Sequence, residues 1–280
     1  MALEKSGEIV KAAFDNNYSI AAINVYNYES TKLAIQKAEE LQKPLLIAFY
    51  PGWKGFIDID VAAEIVKACA KKVKVPIGLH LDHCTDLDEI KLAIDSGYSS
   101  VMYDGSVLPF DENVKNTLEV VKIAKPMGID VEAELGHVGQ AVNVEDFEDS
   151  AKFTSPGDAI KFVERTGCSS LAVAVGNAHG NYARLPNLDI GRISDIKNAI
   201  NIPLVLHGGS GIPDAQLQAA VKAGIAKVNV ATEYNNTYYK AIMDYDKLDG
   251  KAKEMYFCSC DIRDEVLTFL DYKIRLLNPA

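Results

Sequence analysis

The chain has 280 residues, 48% of them apolar, and a formal net charge of −10. That length and apolar content suffice for a large buried core and suit one α/β barrel better than a single β-sandwich. The acidic balance, with no basic stripe to neutralise phosphates, excludes a general nucleic-acid or polyanion binder; backbone amides can still hold one phosphate locally.

The opening Met1-Ala2-Leu3-Glu4-Lys5-Ser6 lacks a basic-then-apolar signal, and the longest apolar runs are of strand length, so no membrane span is expected. Five cysteines, Cys69, Cys84, Cys168, Cys258 and Cys260, show no paired framework. Reduced thiols and a cytoplasmic location are expected. Cys258-Ser259-Cys260 is a weak metal or redox signal by itself, and Cys84 reads as a neighbour of the histidine motif rather than a ligand.

Strand-like apolar runs recur near 20–25, 44–49, 76–82, 99–103, 129–134, 169–175, 203–206 and 226–230. Between most of them lie amphipathic stretches such as Glu29–Leu41, Val61–Val73 and Pro213–Ala223, with apolar residues at helical spacing. Eight strands alternating with helices predict a closed (β/α)8 TIM barrel with right-handed crossovers. An open doubly wound sheet is the structural alternative. No linker or change of composition marks a boundary, so a single domain over 1–280 is expected. No Gly-x-Gly-x-x-Gly follows the first strand, which argues against a dinucleotide fold. The acidic stretch between Gly136 and Pro156, following a strand, is a candidate lid. Beyond the eighth strand the chain continues to Ala280 in two helical patterns, extra C-terminal helices that cap the barrel or pack on a neighbouring subunit.

In such a barrel all strand ends point to one rim. Those ends carry Asn24, Tyr50, Asp82 with His83, Asp104, Glu134, His179, His207 and Asn229. Barrel interiors favour Val, Ile and Leu, whereas active sites use this rim. A lone strand histidine is usually a hydrogen-bonded core residue, and His80 reads that way. Three histidines at equivalent strand ends, His83, His179 and His207, instead predict a metal site, and neutral imidazoles suit Zn2+ with one open position. Adjacent residues of a regular strand face opposite sides, so Asp82 and His83 can share a pocket only where the pleat breaks. Asp82 is then a proton-transfer group beside the metal. Three readings stay open for Asp104 and Glu134: they bind a second divalent cation, orient the histidines, or are buried carboxylates paired with lysine or backbone amides. The turns Gly208-Gly209-Ser210-Gly211 and Asn229-Val230-Ala231-Thr232 follow the seventh and eighth strands, where barrels hold phosphate.

Together, His80-Leu81-Asp82-His83, Ser100-Val101-Met102-Tyr103-Asp104-Gly105-Ser106, Val131-Glu132-Ala133-Glu134, Gly176 with His179-Gly180, His207-Gly208-Gly209-Ser210-Gly211 and Lys227-Val228-Asn229 resemble the class II, metal-dependent ketose-bisphosphate aldolases over almost the whole chain. The resemblance implies reversible cleavage of a tagatose- or fructose-type ketose 1,6-bisphosphate to dihydroxyacetone phosphate and an aldehyde. It implies His83, His179 and His207 as zinc ligands, Asp82 as the acid/base at the C4 hydroxyl, and Asn229 as hydrogen-bonding the enediolate. Asp104 and Glu134 match positions near the metal and its alternative site. Gly176, Gly208, Ser210 and Thr232 match the phosphate site, often assisted by Na+ or K+; Asn24, Gly180 and Gly209 complete the expected substrate-binding set.

Three departures stand out. The proton-abstracting loop acid falls at Glu145, displaced from the family's register. Tyr50 stands where a small Ser or Thr often meets the distal phosphate. The lysine often found after the second histidine motif is Ala183. Arg263 resembles a family arginine that reaches the distal phosphate from a partner subunit, as in a homodimer or homotetramer. An aldolase for another ketose 1-phosphate, such as a deoxy-gluconate or sulfonated sugar, is the main alternative. A non-catalytic accessory barrel or a zinc hydrolase are the others.

Overall fold

A computed structural model describes residues 3–279; Met1, Ala2 and Ala280, which belong to the expected 1–280 span, lie outside the described residues. The elements run α1 (Ser6–Asn16), β1 (Ile20–Asn24), α2 (Tyr28–Leu41), β2 (Leu45–Phe49), α3 (Ile59–Ala70), β3 (Ile77–Cys84), α4 (Leu87–Asp95), β4 (Ser100–Tyr103), α5 (Phe110–Ala124) and β5 (Asp130–Leu135). They continue α6 (Glu145–Glu148), α7 (Pro156–Thr166), β6 (Ser170–Val173), α8 (Ile190–Ala199), β7 (Leu204–Leu206), α9 (Asp214–Ala223), β8 (Ile225–Val230), α10 (Thr232–Asp246), α11 (Met255–Asp261) and α12 (Arg263–Leu277). All eight strands pair in parallel in chain order, and β8 closes on β1 through Ala22↔Asn229. The fold is the expected TIM barrel, not the open sheet.

The strands are buried on both faces, which is why they read as near-continuous apolar runs rather than alternating ones. Outward residues such as Ile23, Ile47, Leu79, Leu81, Val101 and Val228 join one continuous core with the helices. Ile9, Val10 and Ala13 of α1 pack with Ala22, Leu46, Ala48 and Ala226 across the N-terminal mouth. Local signals set several helix starts. Asn27 and Ser30 form a capping box for α2, and the Asp86 carboxylate accepts from the Asp88 and Glu89 amides at the start of α4.

Helix α10 completes the eighth strand–helix unit, and α11 and α12 are the extra C-terminal pair. Helix α12 packs on α2, α9 and α10 of its own barrel. The candidate lid is tethered: the Ala141 amide donates to the His179 carbonyl and the His179 amide to the Gly139 carbonyl, and Phe147 is buried against Ala141, Ala178 and Tyr182. Among the described residues no helix is long and apolar enough to cross a membrane.

Candidate active site

The pleat does break where Asp82 and His83 need it to. In β3 the register to β4 moves from Leu81↔Val101 to Cys84↔Tyr103, one residue extra, and His83 adopts a φ of 49°. A non-glycine residue in the left-handed region is strained, and such strain concentrates at functional sites. The bulge turns both side chains into a cavity of about 550 Å³ at the C-terminal mouth of the barrel.

His83, His179 and His207 converge there, each offering a ring nitrogen within 4.8 Å of the others. Their remaining nitrogens are committed to oxygens. His83 Nδ1 meets Asp104 Oδ2 at 2.8 Å, His179 Nδ1 meets the Val138 carbonyl at 3.0 Å, and His207 Nε2 meets Glu132 Oε1 at 2.9 Å. Carboxylates and carbonyls accept, so those nitrogens carry protons, and in the neutral rings that a metal binds the inward nitrogens are left with lone pairs. His83 Nε2 and His179 Nε2 face each other at 3.0 Å, a contact that a shared positive charge satisfies. The surroundings favour that charge. Burial resists it at His83, but Asp82, Asp104 and Glu134 push the ring up to about 9, while burial and then His83 push His179 down to about 4. Three nitrogen donors, His207 buried and His83 and His179 half-buried, with carboxylates beside them fit a divalent cation of the Zn2+ class.

Asp82 is 3% exposed and held on both oxygens: Asn24 Nδ2 donates at 2.7 Å and Asn229 Nδ2 at 2.8 Å. Burial works against its ionisation, yet His83, His207, Lys227 and the Asn24 hydrogen bond hold it below the usual aspartate range. Asn24 Oδ1 and Asn229 Oδ1 are buried without partners, which leaves two acceptors for hydroxyl groups of a ligand. Asp104 and Glu134 join His83 in a second group of converging ligands. Asp104 orients His83, and Glu134 accepts from the Val138 amide at 3.0 Å while its Oε2 has no partner. Burial, then Asp104, pushes Glu134 up to about 8. Among the described residues neither carboxylate is ion-paired with a lysine, and Glu134 accepts from a backbone amide instead.

On one side the cavity is walled by Gly180, Gly208, Ser210 and Thr232. Gly208 has a φ of +63°, and a Cβ there would lie 2.0 Å from the Ala178 carbonyl, so only glycine fits. Helix α10 begins at Thr232 with no cap from Ala231; Ser210 Oγ accepts from the Glu233 amide at 3.1 Å, which ties the Gly208–Ser210 turn to the positive end of the helix. Gly176 and Gly209 shape these turns without lining the cavity. At the opposite side stand Tyr50, Trp53, Lys54 and Glu89. Tyr50 and Trp53 pack edge to face at 5.8 Å, and Lys54 is ion-paired with Glu89.

Of the expected residues, Gly176, Gly209, Glu134, Glu145 and Arg263 do not line this cavity. Glu145 is exposed on α6, and Arg263 is exposed at the start of α12, 3.1 Å from Asp264. The loop acid nearest in sequence, Asp146, instead braces the loop through the Gln140 amide and Lys152. Conversely, sequence reasoning passed over Trp53, Lys54, Glu89, His137 and Gln140, which line the cavity, and the buried Glu132–Lys227 pair beneath His207. For that pair a signal existed: each lies two residues before a rim residue, Glu134 or Asn229, and so shares its inward parity.

The family model described as Fructose-bisphosphate aldolase class-II matches residues 4–280. The chain is 34% identical to the YdjI aldolase from Escherichia coli K12, with a TM-score of 0.88, covering 99% of this chain and 97% of that one. Fructose-bisphosphate aldolase from Campylobacter jejuni, 22% identical with a TM-score of 0.81 over 97% and 93% of the two chains, shares the fold. A match over nearly the full length, on a barrel whose rim gathers this set of ligands, places the chain in the class II fructose-bisphosphate aldolase family.

Proposed function

We propose that the protein catalyses metal-dependent, reversible aldol cleavage of a ketose 1-phosphate to dihydroxyacetone phosphate and an aldehyde. The observation that carries this reading is the convergence of three imidazoles, each locked by an acceptor on its far side, beside an ionised Asp82. A Zn2+ ion held by His83, His179 and His207 would supply Lewis acidity for the substrate carbonyl. Asp82 takes the proton of the hydroxyl next to the breaking bond and returns it in condensation. Asn24 and Asn229 hold Asp82 by their amide protons and offer their free oxygens to substrate hydroxyls. The Gly208–Ser210 turn and the start of α10 receive the phosphate, with Na+ or K+ beside it in the same reading. Asp104 and Glu134 serve as an alternative cation position or as supports for His83. Glu145 is the loop acid for proton abstraction, and Arg263 serves a partner's cavity in a homodimer or homotetramer. A cytoplasmic setting accords with five free thiols.

A second reading concerns the acceptor. Lys54 is the sole lysine or arginine lining the cavity among the described residues, and Glu89 neutralises it, while Tyr50 and Trp53 occupy the same end. This favours an aldehyde other than glyceraldehyde 3-phosphate. Metal-replete protein incubated with fructose 1,6-bisphosphate and tagatose 1,6-bisphosphate, with and without chelator, tests both readings by release of dihydroxyacetone phosphate. Chelator-sensitive release is expected from a ketose 1-phosphate. Faster turnover of either bisphosphate than of every other ketose 1-phosphate tried overturns the second reading. No binding of dihydroxyacetone phosphate overturns the first.

A further inference from the structure

We infer that the buried Glu132–Lys227 ion pair is a positioning device that acts through His207 to set how tightly the centre holds its cation. This rests on the metal reading above. Lys227 is 1% exposed and its Nζ lies 2.9 and 2.7 Å from the two Glu132 oxygens and 3.1 Å from His80 Nε2. Its three donors are thus all committed. His80 in turn is hydrogen-bonded through Nδ1 to Ser100 Oγ. Glu132 Oε1 does double duty, accepting from Lys227 and from His207 Nε2 at 2.9 Å. Neither Glu132 nor Lys227 lines the substrate cavity; both border a smaller cavity of about 300 Å³ lined by residues of α1 and the strand starts. The pair's direct contact with a metal-site histidine is therefore His207, and on Asp82 Lys227 acts only by its charge at a distance.

Stability does not explain the pair. Buried ion pairs are often no better than apolar residues of the same volume, and barrel interiors normally use those residues. The three ligands also differ in their supports. His83 leans on a carboxylate and His179 on a carbonyl, whereas the carboxylate under His207 is shared with a full ammonium charge. Glu132 draws on the His207 proton and strengthens its inward lone pair as a donor; Lys227 tempers that draw. The two charges therefore act on metal affinity with opposite signs, which a merely structural pair would not do.

The test uses the full chain and competition with a chromophoric chelator for Zn2+, with the visible spectrum of the Co2+ form as a second readout. E132Q/K227M removes both charges, leaves no buried charge unpaired and keeps an acceptor for His207. It is expected to release metal about tenfold to a hundredfold more readily and to shift the Co2+ bands. K227M alone, if it folds, should hold metal at least as tightly as the parent. Melting temperatures in excess chelator separate loss of fold from loss of metal. The inference is overturned if the double variant keeps affinity within about twofold of the parent, or if K227M and the double variant weaken by the same factor. Failure of the parent to bind a divalent cation at all would overturn the metal reading with it.

Discussion

Replacing Asp82 by asparagine isolates the charge of the proposed acid/base from its hydrogen bonds. The carboxylate sits between two amide donors, Asn24 Nδ2 at 2.7 Å and Asn229 Nδ2 at 2.8 Å. An asparagine in its place turns one acceptor into a donor, but both flanking amides have a buried oxygen without a partner. Rotation of one flanking amide remakes the contact. The stability cost is then the difference between charge-assisted and neutral hydrogen bonds, about 1–3 kcal/mol. Metal binding should change little, because the nearest ligand nitrogen, His207 Nδ1, is 3.9 Å from Asp82 Oδ1. Turnover is another matter. A positioned acid/base contributes about 10²–10⁴-fold, or roughly 3–5 kcal/mol of barrier. D82N is therefore expected to retain zinc and fold while kcat/KM falls by about 10²–10⁴. Asp82→Ala is the contrast, because it strands both amide groups and adds about 1–3 kcal/mol of instability for each. The measurements are zinc content, melting temperature and steady-state release of dihydroxyacetone phosphate. A zinc-loaded D82N variant with more than about a tenth of parental turnover would refute the assignment.

Two further outcomes follow from the geometry. Glu134, pushed by burial and Asp104 up to about 8 from an ordinary 4.5, holds in the folded state a proton that the unfolded chain releases. Its stabilisation is complete below about pH 4.5 and drains away as pH rises toward about 8. Urea unfolding in excess chelator should show stability falling between about pH 5 and about pH 8.5, with a flatter profile in E134Q; an unchanged slope in E134Q would remove Glu134 as the cause. Gly208→Ala puts a Cβ 2.0 Å from the Ala178 carbonyl at a φ of +63°. It should lower stability by more than about 1 kcal/mol and weaken inhibition by inorganic phosphate, and parental values in both would show the turn to be adaptable.

Residues that are neighbours along the chain were legible, and residues that are neighbours only in space were not. Each strand run coincides with an observed strand to within two residues or so, because parallel barrel strands are buried on both faces and stand out as apolar runs. The rim set followed from strand ends alone. The adjacency of Asp82 and His83 even announced the bulge, since a regular pleat would have separated them. By contrast, Lys54 lies after β2 and Glu89 on α4 after β3, and their pairing is a fact of barrel curvature that no local pattern encodes. The acidic loop after β5 reads from the sequence as a candidate lid. Phe147, buried at 1% against Tyr182 and Ala178, ties it down, and nothing local in the stretch marks Phe147 rather than Phe153 as the anchor.

The barrel divides its labour by strand parity. Outward side chains such as Leu79, Leu81, Val101 and Val131 are fully or almost fully buried in the continuous core shared with the helices, so hydrophobic stabilisation lies mainly there. Inward positions are given over to His80 and Asp82 on β3, Glu132 and Glu134 on β5, and Lys227 and Asn229 on β8. Such an interior is a poor source of stability, since each buried polar group must first recover its desolvation through a partner. The lower layer does recover it: His80, Glu132 and Lys227 satisfy one another. The upper layer does not, leaving Asn24 Oδ1, Asn229 Oδ1 and Glu134 Oε2 without partners and two imidazole nitrogens face to face. Among the inward-facing strand residues, unmet polar capacity thus gathers at the open end of the barrel, where a cation and a polyhydroxylated substrate can meet it; the other unpartnered atoms, Ser19 Oγ, Asn235 Oδ1 and Tyr238 OH, lie before β1 and on α10. A deficit of that kind favours binding over self-association of the groups themselves, because no rearrangement within the chain has to be undone before the ligand enters.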